Sequence, residues 1–307
     1  MRAGMVGLGR MGGNMAARLA DAGHEVVGYD AFGPASQVAS LSELVAGLGA
    51  PRVVWVMVPA GEPTEGVVAE LAGLLGPGDV VVDGGNAHWR DSVRRAGELA
   101  ARGIGFVDAG TSGGVWGRTE GYCLMVGGDA EHLAAAQPLF DALVPPEGGF
   151  VHTGPAGTGH FTKMVHNGIE YGLMQAYAEG YELLVRFDLG IDAEGALAAW
   201  RHGSVVRSWL LDLLVRALGE SPGLEGIAAV AHDSGEGRWT VQEAIERGVA
   251  TPVISAALFA RFESQHDDSV AMKAVAALRN QFGGHAMVSE PGGQPPPTDT
   301  DTEEATA

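Results

Sequence analysis

Residues 5–12 read Met-Val-Gly-Leu-Gly-Arg-Met-Gly, an apolar pair that breaks into Gly7-x-Gly9-x-x-Gly12 and leads into an Ala-rich stretch. In a strand–turn–helix of this kind Gly7 permits the tight turn. Gly9 lets a pyrophosphate approach the backbone, and Gly12 lets helix and strand pack closely. The helix N-terminus then faces the phosphates with unpaired N–H groups. Arg10 and Met11, between these glycines, complete the candidate cofactor-binding turn. Asp30 stands 18 residues past Gly12, at the end of a second apolar run, Glu25 to Tyr29. A carboxylate there can accept hydrogen bonds from both ribose hydroxyls of an adenosine, and it repels a 2′-phosphate. No Arg or Lys lies between residues 31 and 51 to cradle one. The pattern predicts NAD as cofactor, with NADP less favoured.

Outward from that turn, β-rich runs alternate with Ala- and Leu-rich segments. The runs are Met5-Val6, Glu25 to Tyr29, Val53 to Val58, Val80 to Val82, Phe106-Val107 and Tyr122 to Val126. Helical segments are expected between them at 10–22, 36–48, 63–75, 90–102 and 130–143. Near-continuous apolar strands spaced by helices indicate parallel strands buried on both faces. The expected fold is an α/β N-terminal Rossmann domain, a doubly wound and mostly parallel sheet, over residues 1–155. Around Thr153 to Gly159 the character changes, and no further β-alternation follows. Stretches at 160–187, 192–201, 205–219, 240–247 and 252–282 predict an all-α substrate and dimerisation domain over 156–286. From Met287 the chain turns to proline, threonine and acid without apolar anchors. Residues 287–307 are therefore expected to be a disordered tail.

A length of 307 residues suits two domains, and 46% hydrophobic residues can build a sizeable core. Lys and Arg number 19 against 38 Asp and Glu, a net charge of −19. That balance argues against nucleic-acid or anionic-membrane partners. Any anionic ligand must be held by a few local cations. One cysteine, Cys123, excludes an intramolecular disulfide framework and a cysteine zinc cluster. In its apolar run it is expected to be inert core. No apolar stretch reaches the roughly 18 residues of a membrane span, and no secretory pattern is visible, so a cytoplasmic setting is expected. Trp55, Trp89, Trp116, Trp200, Trp209 and Trp239 are expected to be packing residues.

His160 to Gly172 reads HFTKMVHNGIEYG. Lys163, His166, Asn167 and Glu170 fall at i, i+3, i+4 and i+7, one helical face, with Met164, Val165 and Ile169 on the other side. Gly159, Gly168 and Gly172 are costly in a helix, so something is expected to pack close to them. A partly desolvated lysine beside a bound cation can lose its proton near neutral pH and act as a base. A glutamate one turn on can serve as the paired acid.

This run resembles the signature of the decarboxylating 6-phosphogluconate dehydrogenase family. The resemblance extends to Asp83-Gly84-Gly85-Asn86 with Trp89-Arg90-Asp91, and to Gly110 to Gly114 (GTSGG) with Gly117. Gly237-Arg238-Trp239-Thr240 and Phe259-Ala260-Arg261 match as well. The similarity spans about residue 4 to His285, and the length suits the shorter bacterial branch. It implies Lys163 as general base, Glu170 as the acid that protonates C1, and His166 and Asn167 beside them. It implies a sugar-acid phosphate held by Asn86, Ser112, Gly113, Gly114, His166, Asn167, Tyr171 and Arg261, with no metal. Asn86 is also a candidate cofactor contact. Arg279 and His285 resemble residues that reach into a partner subunit's site, which implies a homo-oligomer with a shared active site. The chain departs from the long-form pattern at Ser234 and Glu236, where a Lys and a Thr contact phosphate. An acid near phosphate would be unfavourable unless Arg238 or Arg261 compensates. The arginine that follows the second strand in NADP-dependent members is also absent. A related plan without decarboxylation, the 3-hydroxyisobutyrate type of dehydrogenase, is the alternative. It needs the lysine but not the returning acid.

Overall fold

The computed structural model describes residues 1–283 and 287–288. The first half alternates strand and helix: β1 (Arg2–Val6), α1 (Arg10–Asp21), β2 (Glu25–Tyr29), α2 (Leu41–Ala46), β3 (Val53–Val56), α3 (Glu62–Leu74), β4 (Val80–Asp83) and α4 (Trp89–Ala100). Then come β5 (Gly105–Ser112), α5 (Gly117–Glu120), β6 (Cys123–Gly128), α6 (Ala130–Leu143) and β7 (Phe150–Gly154). The long α7 (Thr158–Val185) follows, with α8 (Ala193–Trp200), α9 (Trp209–Glu220), α10 (Glu236–Arg247), α11 (Pro252–Glu263) and α12 (Val270–Gly283). Among the described residues no strand follows β7.

The strands form one sheet in the order β2-β1-β3-β4-β5-β6-β7. β2 to β5 are joined by parallel pairings, β6 runs antiparallel to β5, and β7 is parallel to β6. Every residue of β3 and β4 is buried, as strands covered on both faces require. One face packs Met15, Leu19, Leu133 and Phe140 of α1 and α6 around Trp55. The other packs Leu44, Leu71 and Leu99 of α2, α3 and α4. This is the doubly wound α/β sheet the sequence predicts, followed by helices.

Three local differences have clear causes. The strand β7 was not expected because Phe-Val-His-Thr-Gly lies at the sheet edge and half of it faces solvent. α2 covers only the end of the 36–48 stretch, because Ser40 caps it by accepting from Glu43 N. The expected 252–282 helix is two helices, parted by polar residues 264–269.

The chain packs as two units. Met1–Gly226 with Asp233–Leu258 makes the first, and Ile227–His232 with the chain from Phe259 makes the second. The boundary expected near 155 falls inside the first unit, in the loop between β7 and α7. In the second unit Arg261 donates to the His232 carbonyl at 3.1 Å and Ala231 N donates to Ser264 Oγ at 3.0 Å. α12 exposes Val270, Met272 and Leu278. Of the tail expected at 287–307, all but Met287 and Val288 lies outside the described residues.

The start of α7 is set into the sheet. Gly159 bears no side chain where one could not fit: a Cβ there would stand 2.6 Å from the Met125 carbonyl and 2.7 Å from Gly127 N. Farther along, Gly168 receives Thr240 and Gly172 receives Val253. The close approach expected at these glycines is thus made by β5, β6, α10 and α11. Gly180, on the same helix, has open space around it. Gly159→Ala should lower stability by about 1–3 kcal/mol through overpacking, while Gly180→Ala should raise it by about 0.5–1 kcal/mol. Urea unfolding of the two variants checks this, and equal midpoints would contradict it.

Candidate active site

Asp108 fixes the helix that carries the site. Buried on β5, its Oδ1 accepts from Gly157 N at 2.6 Å and its Oδ2 from His160 N at 2.8 Å. These are two of the orphan donors at the start of α7, and a carboxylate at that end also meets the positive pole of the helix. One turn on, Lys163 passes beneath β5. A Cβ at Gly110 would collide with the Lys163 stem, so only glycine there admits it.

Lys163 is 7% exposed. Burial lowers its proton affinity below the ordinary lysine value, and the charges of Glu170, Glu236 and Cys123 oppose that to a lesser degree. Its Nζ donates to Asn167 Oδ1 at 2.7 Å and lies 3.5 Å from His166 Nδ1. Asn167 Oδ1 is also 3.0 Å from His166 Nδ1. An amide oxygen only accepts, so this geometry puts the imidazole proton on Nδ1. Nε2 is then free to accept from Ser112 Oγ at 3.3 Å. Glu170 Oε2 stands 3.8 Å from His166 Nδ1.

These groups open into a cavity of about 1030 Å³. Met11, Asn86, Ser112, Gly113, Gly114, Lys163, His166, Asn167 and Glu170 all line it. Sequence reading therefore assembled most of the polar wall. It missed the apolar wall: Val165 and Ile169, assigned to the far side of α7, also border the cavity, with Leu173, Trp209, Leu210 and Leu213. The cavity wraps farther round α7 than one polar stripe, and only Met164 of the three is buried. Trp116 and Trp209 are wall residues rather than core packing, and the Arg216 guanidinium sits 4.3 Å from the Trp116 ring centroid.

Other expected contacts lie elsewhere. Tyr171 is buried on the α10 side, where its hydroxyl accepts from Ser234 N at 2.9 Å. Arg261 and Arg279 belong to the second unit, and His285 lies outside the described residues. Glu236 is a buried residue on α10, not an exposed acid, and Arg238 pairs with Asp233 at 3.0 Å. Cys123 is exposed, contrary to the inert core expected: it opens β6 opposite Ser112, on the side away from buried Leu124.

The glycine turn is open to a phosphate. Gly7 has φ +90°, Gly9 has open space where a side chain would be, and a Cβ at Gly12 would strike the Gly7 carbonyl. Gly9 caps α1 without a side-chain hydrogen bond, and Arg10 is exposed beside it. Asp30 Oδ1 accepts from Phe32 N at 2.9 Å and Gly33 N at 2.8 Å, and Oδ2 from Leu8 N at 2.7 Å. The Phe32 and Leu8 amides hold this carboxyl below its usual range. Asp30 thus ties the second strand to the glycine turn; Oδ1 already has two donors, and Oδ2, with one, keeps capacity for a further donor.

Comparison with known proteins agrees with this layout. The NAD binding domain of 6-phosphogluconate dehydrogenase matches residues 2–145, and the C-terminal domain of 6-phosphogluconate dehydrogenase matches 159–290. A Bacillus subtilis relative, provisionally named a 6-phosphogluconate dehydrogenase, is 45% identical over 297 residues, 93% of this chain and 99% of its own. A Haloferax volcanii relative, named an NAD(+)-dependent, decarboxylating 6-phosphogluconate dehydrogenase, is 42% identical, covering 94% and 98%. Solved structures of similar fold include Plasmodium falciparum 6-phosphogluconate dehydrogenase, with TM-score 0.76 and 25% identity over 96% of this chain and 67% of that one. Mycobacterium tuberculosis 3-hydroxyisobutyrate dehydrogenase gives 0.68 and 25%, over 91% and 99%. The fold and the site define a nicotinamide-dinucleotide oxidoreductase. The chain belongs to the 6-phosphogluconate dehydrogenase family.

The exposed thiol gives a direct check on the cavity's surroundings. Ellman's reagent should titrate one thiol per folded chain at neutral pH, because Cys123 is accessible. Reaction only after denaturant is added would contradict the placement.

Proposed function

We propose that the protein oxidatively decarboxylates 6-phosphogluconate to ribulose 5-phosphate and CO2, with NAD preferred over NADP. The observation that carries this reading is the grouping of Asn167, His166 and the buried Lys163 with Glu170 on one wall of the large cavity. Gly7, Gly9, Arg10, Met11 and Gly12 would hold the dinucleotide phosphates, Asp30 the adenosine ribose, and Asn86 the nicotinamide side. A bound nicotinamide would supply the hydride acceptor for oxidation at C3 of the substrate.

The chain's own residues do the rest. Lys163, whose hold on a proton burial weakens, takes the proton of the 3-hydroxyl. Asn167 and His166 aim its amine, and Ser112 orients the imidazole. The 3-keto acid so formed loses CO2, as β-keto acids do, and the Lys163 proton goes to the carbonyl oxygen. Glu170 then protonates what becomes C1 while Lys163 takes back the proton of the enol oxygen, leaving the ketone. Asn86, Ser112, Gly113 and Gly114 would hold the hydroxyls and carboxylate, and Tyr171, Arg261, Arg279 and His285 the phosphate. The last two would come from a partner in a homo-oligomer, a reading supported by the exposed apolar side chains on α12. No metal ion is invoked, and a cytoplasmic setting goes with the single cysteine.

A second reading, simple oxidation of a 3-hydroxyacid, is favoured by the apolar cavity wall and by the fold shared with 3-hydroxyisobutyrate dehydrogenase. One panel separates the two: 6-phosphogluconate, gluconate and 3-hydroxyisobutyrate, each with NAD and NADP, monitoring CO2 and reduced coenzyme. The expected result is turnover of 6-phosphogluconate, one CO2 per reduced coenzyme, and a higher kcat/KM with NAD. Lys163→Met should lose about 10³-fold in kcat while still binding NAD. Oxidation without CO2, or preference for NADP, would contradict the corresponding part.

A further inference from the structure

One carboxyl beside the base has no part in that reaction. Glu236 opens α10, yet it is only 2% exposed, and its buried Oε2 has no hydrogen-bond partner. An acid at a helix start is ordinarily solvated. This one is held against α7, because Thr240, one turn later, donates to the Met164 carbonyl at 2.7 Å and packs onto Gly168. His160, on the facing side of α7, is also buried with its Nε2 unpartnered, while its Nδ1 lies 2.7 Å from Ser92 Oγ. Two orphan polar atoms therefore sit in the packing around Lys163, a costly arrangement for a core that needed only to pack.

Burial pushes the Glu236 carboxyl up to about 7, opposed by Lys163 and His160. Its charge acts in turn on Lys163. Glu236 is not among the residues that line the cavity.

We propose that Glu236 is a positioning residue for Lys163, a buried counter-charge that sets how readily the amine takes up and returns the substrate proton. This rests on the reading of Lys163 as the base. An ionised Glu236 favours the ammonium form and so opposes desolvation of the amine. The two groups titrate as a coupled pair rather than independently. The other charged or titratable neighbours are accounted for. His166 and Glu170 share α7 with Lys163, and the charge of Cys123 acts on it from β6. Behind His160 stand Asp108 of β5 and Asp83 of β4, the latter paired with Arg95 of α4.

The chain contains two lysines, Lys163 and Lys273, so each can be followed separately. The full-length protein is acetylated briefly with acetic anhydride across a pH series and each lysine is quantified by mass spectrometry. Lys273 reports on reagent and fold, and circular dichroism confirms folding. Glu236→Gln should move the Lys163 reactivity midpoint down by about one pH unit, because the opposing charge is gone. Glu236→Thr, a second neutral variant, should move it the same way. Glu236→Asp, which keeps the charge, should leave it near wild type. The acid limb of kcat/KM should shift with the midpoint. An unmoved midpoint in a folded neutral variant overturns the proposal, as does an equal shift in Gln and Asp, which would indicate packing alone. The titration needs no substrate, so a failure of the proposed activity would show separately, as absence of turnover by the wild type.

Discussion

The grip of Asp108 on the start of α7 is the constraint on which the site depends. Two backbone N–H groups of the helix end on one buried carboxylate, and Gly159 lets the helix axis close onto β5 and β6. Without that contact α7 could rotate or slide, and a rotation of one residue would turn Lys163 about 100° away from the cavity. With it, the lysine stem is wedged under Gly110 and its amine emerges beside Asn167 and His166. The sheet thereby fixes the position of the candidate site, although its polar groups sit on a helix.

The same wedge sets the charge. Removing the amine from water lowers its hold on a proton, and this outweighs the nearby carboxylates of Glu170 and Glu236. The balance between desolvation and those acids is what makes a lysine usable as a base near neutrality. In a chain with a net charge of −19, such local arrangements rather than the overall field must govern how any anionic ligand is held.

Much of this was legible in the residues. The glycine turn and the apolar runs dictate a doubly wound sheet because burial on both faces makes β3 and β4 apolar throughout except for Asp83 at the end of β4. The i, i+3, i+4, i+7 spacing of Lys163, His166, Asn167 and Glu170 foretold a shared face, and they share it. What stayed hidden depends on long-range packing. Nothing local in residues 209–213 says that Trp209, Leu210 and Leu213 turn toward α7 to wall the cavity. Alternation at one strand end decides that Cys123 faces outward while Tyr122 and Leu124 are buried, and an apolar neighbourhood conceals it. Glu236 looked like an acid at a phosphate site because its burial comes from Thr240 binding α7, a contact made 76 residues apart in the chain.

The most direct measurement is NMR of the protein carrying 13C-labelled lysine, in which the two lysines give separable ε-carbon signals. The account predicts that Lys163 loses its proton below the ordinary lysine value of about 10.4. A Lys163 signal that titrates at that ordinary value would contradict it, since the amine would then stay charged and could not serve as the base.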